Sequence, residues 1–222
     1  MSAEPSDPAD GLLRASVHEE LRRRFVTGRV MPGTSLSTRG LALELCVSQM
    51  PVREALGRLA AEGAVEIRSK RRIVVPPMTA ARFQDLLRCR EMLEPEAAAS
   101  AVRHIDAARL KRLRAVDDEI GEALRDGDVG AYMARNYEFH FLIYRALSRP
   151  TLIQLIETLW LQFGPYMRVV YGRFGTSRLD DQHERALAAI RDRNGPALRR
   201  AVLADIRDGM SLIAKNGFEN GA

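Results

Sequence analysis

Apolar residues recur at helical spacing along most of this chain, and they alternate at strand spacing in one short stretch. Val17, Leu21 and Phe25 share one face of a helix predicted over residues 14–27. The next segment, GRVMPGTSL, breaks it with two glycines and a proline. A short second helix is expected over 38–45, a turn at Cys46-Val47-Ser48, and a third helix over 49–62 with Val52, Ala55, Leu56, Leu59 and Ala60 on its apolar side. Ser48 is placed to cap that helix, Pro51 falls in its first turn and Gly63 ends it. Residues 65–75 then alternate as a hairpin with Arg68, Lys70, Arg71 and Arg72 at its tip. A capped helix followed by a cationic hairpin is the layout of a winged helix-turn-helix that reads DNA.

Pro76-Pro77 marks a boundary, and no strand is predicted beyond it. Helices are expected near 79–101, 106–126, 128–147, 150–171, 178–193 and 195–215, divided by Gly127, by Arg149-Pro150, by GRFGTS and by Asn194-Gly195-Pro196. Pro95 lies inside the first of these and is expected to kink it. Six helices with short links predict an antiparallel bundle. The fold class is therefore mainly α: a winged helix-turn-helix with a small β-wing over 11–76, and an all-α antiparallel bundle over 77–222. The acidic, proline-bearing residues 1–10 read as a disordered lead-in rather than a signal peptide.

Composition agrees. The chain is 46% hydrophobic but only 6% aromatic, which suits packed helices more than a β-sandwich. No apolar run approaches the roughly 20 residues that cross a bilayer, so no membrane partner is expected. Two distant cysteines, Cys46 and Cys89, make a disulfide framework improbable and point to a reducing cytoplasm. The distribution of charge says more than its total of +5: residues 11–76 hold 12 Lys and Arg against 6 Asp and Glu, and residues 77–222 hold 22 against 20. A concentration of cations suits a phosphate-binding surface, because duplex affinity comes largely from displaced counterions.

Within the head, the residues expected to meet double-stranded DNA are Arg39 at the start of the second helix, Ser48, Gln49 and Met50 at the tip of the third, Arg53 on its outer side, and Lys70, Arg71 and Arg72 on the wing. Gln can pair bidentately with adenine, while Met offers only apolar contact, for example to a thymine methyl.

Residues 36–75 resemble the winged helix-turn-helix of GntR-type bacterial transcription regulators. The hallmark there is a Ser-Arg-Thr-Pro-Val-Arg-Glu-Ala-Leu run, then a Leu and Glu-Gly-Leu-Val. This chain has Ser48-Gln49-Met50-Pro51-Val52-Arg53-Glu54-Ala55-Leu56, then Leu59 and Glu62-Gly63-Ala64-Val65, so seven of nine hallmark positions match. The resemblance assigns DNA contacts to Arg39 and Arg53. Gln49 and Met50 depart from the hallmark and imply an altered operator. The wing of such proteins turns on a Gly, and Arg72 is expected in that place.

The bundle carries a second constellation. Asn136 and His140, four apart, share a helical face. If the last two helices are antiparallel about Asn194-Gly195-Pro196, His183 and Asp205, each 11 residues from Asn194, stand at one height. Together they form a four-ligand candidate, although each is also open to ordinary core or salt-bridge duty. Residues 80–215 resemble the all-helical effector domain of the FadR subgroup, the FCD domain, where an Asp, a Phe-His, a Glu-His and a final His hold a divalent metal. Asn136, Phe139, His140 and His183 fall on that pattern, and Asp205 stands where the last His is expected. The resemblance thus implies a metal held by Asn136, His140, His183 and Asp205. The harder donor set favours Zn, Ni, Mn or Fe over Cu. Arg90, in LRCREMLEPEA, matches a cavity-facing arginine of such domains and is the expected contact for a small organic acid. An intrahelical pair with Glu94 is the alternative. Six bundle helices place the chain nearer the VanR-like branch.

The leading function is a homodimeric, ligand-responsive transcription factor, a repressor as is usual in this family, and not an enzyme. Two alternatives stand beside it: a sensor for which the metal is the signal, and a metal-dependent enzyme with a DNA-targeting head. No nucleophile motif supports the enzyme.

Overall fold

The computed structural model describes residues 8–69, 72–174 and 182–216. The head contains α1 (Pro8–Val26), β1 (Ser35–Leu36), α2 (Thr38–Glu44), α3 (Gln49–Ala61), β2 (Glu66–Ser69) and β3 (Arg72–Val74). Leu21 and Phe25 of α1 are buried together with Val52, Leu56 and Leu59 of α3, so the predicted apolar faces form one core. Gly63, at φ 72°, turns the chain out of α3 in the left-handed region that glycine enters without strain.

Three features of the head differ from expectation. Helix α1 starts at Pro8, inside the expected lead-in, because the fixed backbone angle of proline is pre-shaped for a first helical turn. Residues 35–36, read as part of a break, form β1 and pair antiparallel with β3 (Ser35 with Val74, Leu36 with Ile73), giving the sheet order β1-β3-β2. Two residues are too few for alternation to show. Arg72 is not the wing's turn residue. It opens β3 opposite Ser69, and the expected tip residues Lys70 and Arg71 lie outside the described residues.

The bundle comprises α4 (Ala80–Ala101), α5 (Ala107–Asp126), α6 (Val129–Tyr144), α7 (Pro150–Phe174), α8 (Gln182–Arg191) and α9 (Gly195–Asn216), with a short 3-10 turn at Val102–His104. Thr79, Asp106 and Asp128 cap α4, α5 and α6, each accepting a backbone N–H three residues on. Gly127, the expected breaker, ends α5. Helix α4 runs through Pro95 and α7 through Pro165. Helix α9 packs on α4 and α8, and α5 packs on α6. No helix among the described residues is long and apolar enough to cross a membrane.

Head and bundle meet along α7. Gly164 lies so close to α1 that a β-carbon there would collide with the Phe25 carbonyl oxygen. Gln162 donates to the Glu62 carbonyl at 3.0 Å and accepts from Arg82 at 2.8 Å. Arg22 binds both Glu62, at 2.7 Å, and Glu157 of α7, at 3.0 Å. The Tyr166 hydroxyl donates to the Pro76 carbonyl. On its α6 side, α1 instead borders an open cleft of about 800 Å³.

His18 makes the head sensitive to acid. Burial lowers its pKa below 6.5, Arg22 and Arg58 push the same way, and Glu19 opposes them. The unfolded chain therefore takes up this proton first, and stability falls as pH drops through 6.5 toward the lower folded value. Urea midpoints at about pH 7.5 and 5.5 should differ less in His18→Gln than in the natural chain; equal differences would contradict this.

Candidate nucleic-acid surface and metal centre

Of the residues predicted to face DNA, Arg39 lies on α2, Ser48, Gln49, Met50 and Arg53 at the start of α3 and Arg72 at the start of β3, and all six are exposed. Helix α3 buries Pro51, Val52, Ala55, Leu56 and Leu59, which leaves Gln49, Met50 and Arg53 outward, with Met50 57% exposed. Ser48 occupies the N-cap, but its side chain makes no cap bond, so its hydroxyl is not committed to the helix. Ser37 does cap α2, accepting from Gly40, and sets exposed Arg39 in the first turn. Arg72 is exposed at the start of β3. Ion pairing separates the head's arginines. Arg14, Arg22, Arg23, Arg24 and Arg68 each bind a glutamate. Among the described residues Arg39, Arg53 and Arg72 bind none, and neither do Arg29 and Arg58, so the charge of all five is available to an external anion. Cys46 takes φ 54° in the turn between α2 and α3, a strained position that its sequence gave no reason to expect.

In the bundle, α6, α8 and α9 bring His140, His183 and Asp205 together, with one ligand atom from each lying within 4.8 Å of the others. The antiparallel register about Asn194 puts His183 Nε2 3.8 Å from Asp205 Oδ1. His140 Nε2 lies 3.1 Å from Asp205 Oδ2 yet is buried and makes no hydrogen bond among the described residues. Asn136 is buried one turn before His140 on α6.

When each ring is neutral, the surrounding hydrogen bonds place its single proton. Tyr144 donates its single hydroxyl proton to Glu94 at 2.9 Å. Its oxygen must then accept from His140 Nδ1 at 3.0 Å, which leaves Nε2 of the neutral ring as a lone-pair donor. Asp117 receives His183 Nδ1 at 2.9 Å and leaves that ring's Nε2 in the same state. Phe139 stacks on His183 with ring centroids 4.0 Å apart. Burial raises the Asp205 carboxyl, but a hydrogen bond and charge from His140 in its protonated form, then the charges of protonated His183 and of Arg90, outweigh it and hold the group at about 2; a bound cation would take the place of those ring protons. Two imidazole lone pairs and one carboxylate thus face a common point, and an acceptor facing an acceptor at 3.1 Å fits a cation between them.

Arg90 does not stand open to a ligand. It is 2% exposed and binds Glu94 through Nε at 2.5 Å and NH2 at 3.3 Å, while NH1 reaches only the Met210 sulfur at 3.6 Å. The intrahelical pair is therefore present, because a buried guanidinium needs a compensating carboxylate. Sequence reasoning missed Asp117, Tyr144 and Trp160. Each is an ordinary helix residue by spacing, and only the packing of α4, α6 and α7, and of α5 on α8, reveals its partner.

A winged helix-turn-helix head with exposed arginines, joined to a helical bundle with an imidazole–carboxylate cluster, has the architecture of a two-domain DNA-binding regulator. Residues 13–75 match the model for bacterial regulatory proteins of the gntR family, and residues 85–208 match the FCD domain. The chain belongs to the GntR family of transcriptional regulators, with an FCD effector domain, and these homologues are regulators rather than enzymes. It is 27% identical over 204 residues to the HTH-type transcriptional regulator McbR of Escherichia coli K12, covering 90% of this chain and 92% of McbR. It is also 27% identical to the gluconate operon transcriptional repressor of Bacillus subtilis 168, covering 84% and 81%. The solved structure of E. coli McbR/YncC superposes with a TM-score of 0.86 at 26% identity, covering 92% of this chain and 98% of that one.

Proposed function

We propose that this regulator represses transcription as a cytoplasmic homodimer on operator DNA, and that a small organic acid bound at a divalent ion in the bundle releases it. His140, His183 and Asp205 hold the ion, with Asn136 as a fourth, weaker donor. Arg39, Ser48, Gln49, Met50, Arg53 and Arg72 meet the DNA, with Lys70 and Arg71 assigned to the wing tip. The observation that carries the metal reading is the convergence of one ligand atom each of His140, His183 and Asp205 within 4.8 Å, with both ring Nδ1 atoms held by other partners. When bound, the ion offers open positions to a carboxylate ligand. The repressor assignment is supported by the B. subtilis relative, whose name states that role.

A second reading, in which the ion alone is the signal, gains from one observation: Arg90, expected to hold the acid, is occupied by Glu94. Calorimetric titration of chelator-stripped protein with Zn²⁺ should show one site per chain, and His140→Ala should show none while keeping its helical circular dichroism. Zn²⁺ heat that survives His140→Ala, or its absence from the natural chain, contradicts the metal reading. Operator affinity that responds to Zn²⁺ alone supports the sensor. A response that also needs succinate or gluconate as probe acid supports the effector.

A further inference from the structure

We infer that α7 is the lever between the bundle's metal centre and the DNA-reading head, and that the Glu94–Trp160 hydrogen bond is where the centre grips it. The inference rests on the metal reading above. One oxygen, Glu94 Oε2, accepts from Tyr144 at 2.9 Å and from the Trp160 indole at 3.1 Å. Tyr144 in turn holds His140 Nδ1 at 3.0 Å. Four side chains thus make an unbroken path from the ligating ring to α7. All four are buried, and Glu94 and Trp160 have no measurable exposure. Arg90 completes the hub, with its guanidinium carbon 4.8 Å from the Trp160 ring and 5.3 Å from that of Phe163.

The residues of α7 that hold the head are within two turns of Trp160. Glu157 binds Arg22, Gln162 binds the Glu62 carbonyl, and Gly164 seats α1. The stretch of α7 from Glu157 to Gly164 covers about two turns and moves as a rigid body, and a packed contact has discrete arrangements rather than a continuous range. The head has space to respond, because α1 is pinned on its α7 side and borders the 800 Å³ cleft on its α6 side. A cation at His140 Nε2 polarises the ring and strengthens Nδ1–H as a donor to Tyr144, and so Tyr144 as a donor to Glu94. The Trp160 hydrogen bond shares that same acceptor oxygen and must readjust.

Trp160 is the only tryptophan among the 222 residues, so intrinsic emission reports on the hub directly. Zn²⁺, which does not quench indole, would be titrated into the stripped full-length chain with calorimetry and emission followed in parallel. The expected result is a saturable emission change with the calorimetric midpoint. Tyr144→Phe should still bind Zn²⁺, about tenfold more weakly, but with most of the emission change and of the Zn²⁺ effect on DNA affinity gone. Gln162→Ala, on the head-facing side, should keep the emission change and lose the DNA effect. Heat without an emission change in the natural chain, or a Tyr144→Phe response equal to it at saturation, overturns the lever and leaves the metal site standing. Absence of heat overturns both.

Discussion

Glu94→Ala should cost the bundle about 3–5 kcal/mol, the largest stability loss expected from any single change discussed for this chain. Glu94 is fully buried and accepts from Arg90, Tyr144 and Trp160. Its removal leaves the buried guanidinium hydrogen-bonded to no carboxylate among the described residues, with the Met210 sulfur beside it and Asp205 acting only at longer range. Burial raises the Tyr144 hydroxyl well above its usual range, and the neighbouring Glu94 charge adds to that, so Tyr144 stays neutral and cannot stand in as the counter-charge. The double change Arg90→Met with Glu94→Leu should lose less than Glu94→Ala alone, because it removes the uncompensated charge. Urea unfolding measures both. A loss below about 1 kcal/mol for Glu94→Ala would mean that water reaches Arg90.

Arg53→Ala should weaken specific operator binding by about 1–3 kcal/mol, roughly ten- to a hundredfold, and relax discrimination at one base position. Its side chain is exposed on α3 and among the described residues has no carboxylate to lose, so stability should stay within about 0.5 kcal/mol. That combination separates a base or phosphate contact from a structural arginine. Arg22→Ala, which removes the ion pairs to Glu62 and Glu157, should show the reverse order of effects. Equal binding by Arg53→Ala and the natural chain would move the reading surface off α3.

Helices were the most legible part of the chain, since periodicity and caps are local. The apolar faces of α1 and α3, Gly63 as the exit from α3 and the turn at Asn194 follow from spacing and backbone preference alone. The facing of His183 and Asp205 was legible for the same reason: a short antiparallel turn fixes height by counting. Strand β1 was not, because two residues gain their pairing only when β3 folds beside them. The role of Arg72 depended on the register of the wing, which one residue of slip changes. The hub was illegible for a different reason. Glu94 reads as the i+4 partner of Arg90, as it is, but nothing local signals that Tyr144 from α6 and Trp160 from α7 converge on the same oxygen. Asp117 likewise looks like a surface acid on α5 until α8 presents His183 to it.

The central claim is that the cation-bearing head recognises specific operator sequences. Footprinting the full-length protein across its genome at physiological salt tests it most directly. The account predicts protected sites made of paired half-sites about one helical turn apart, with protection lost in Arg53→Ala. Occupancy that is uniform along the DNA, or protection that Arg53→Ala leaves unchanged, would contradict it.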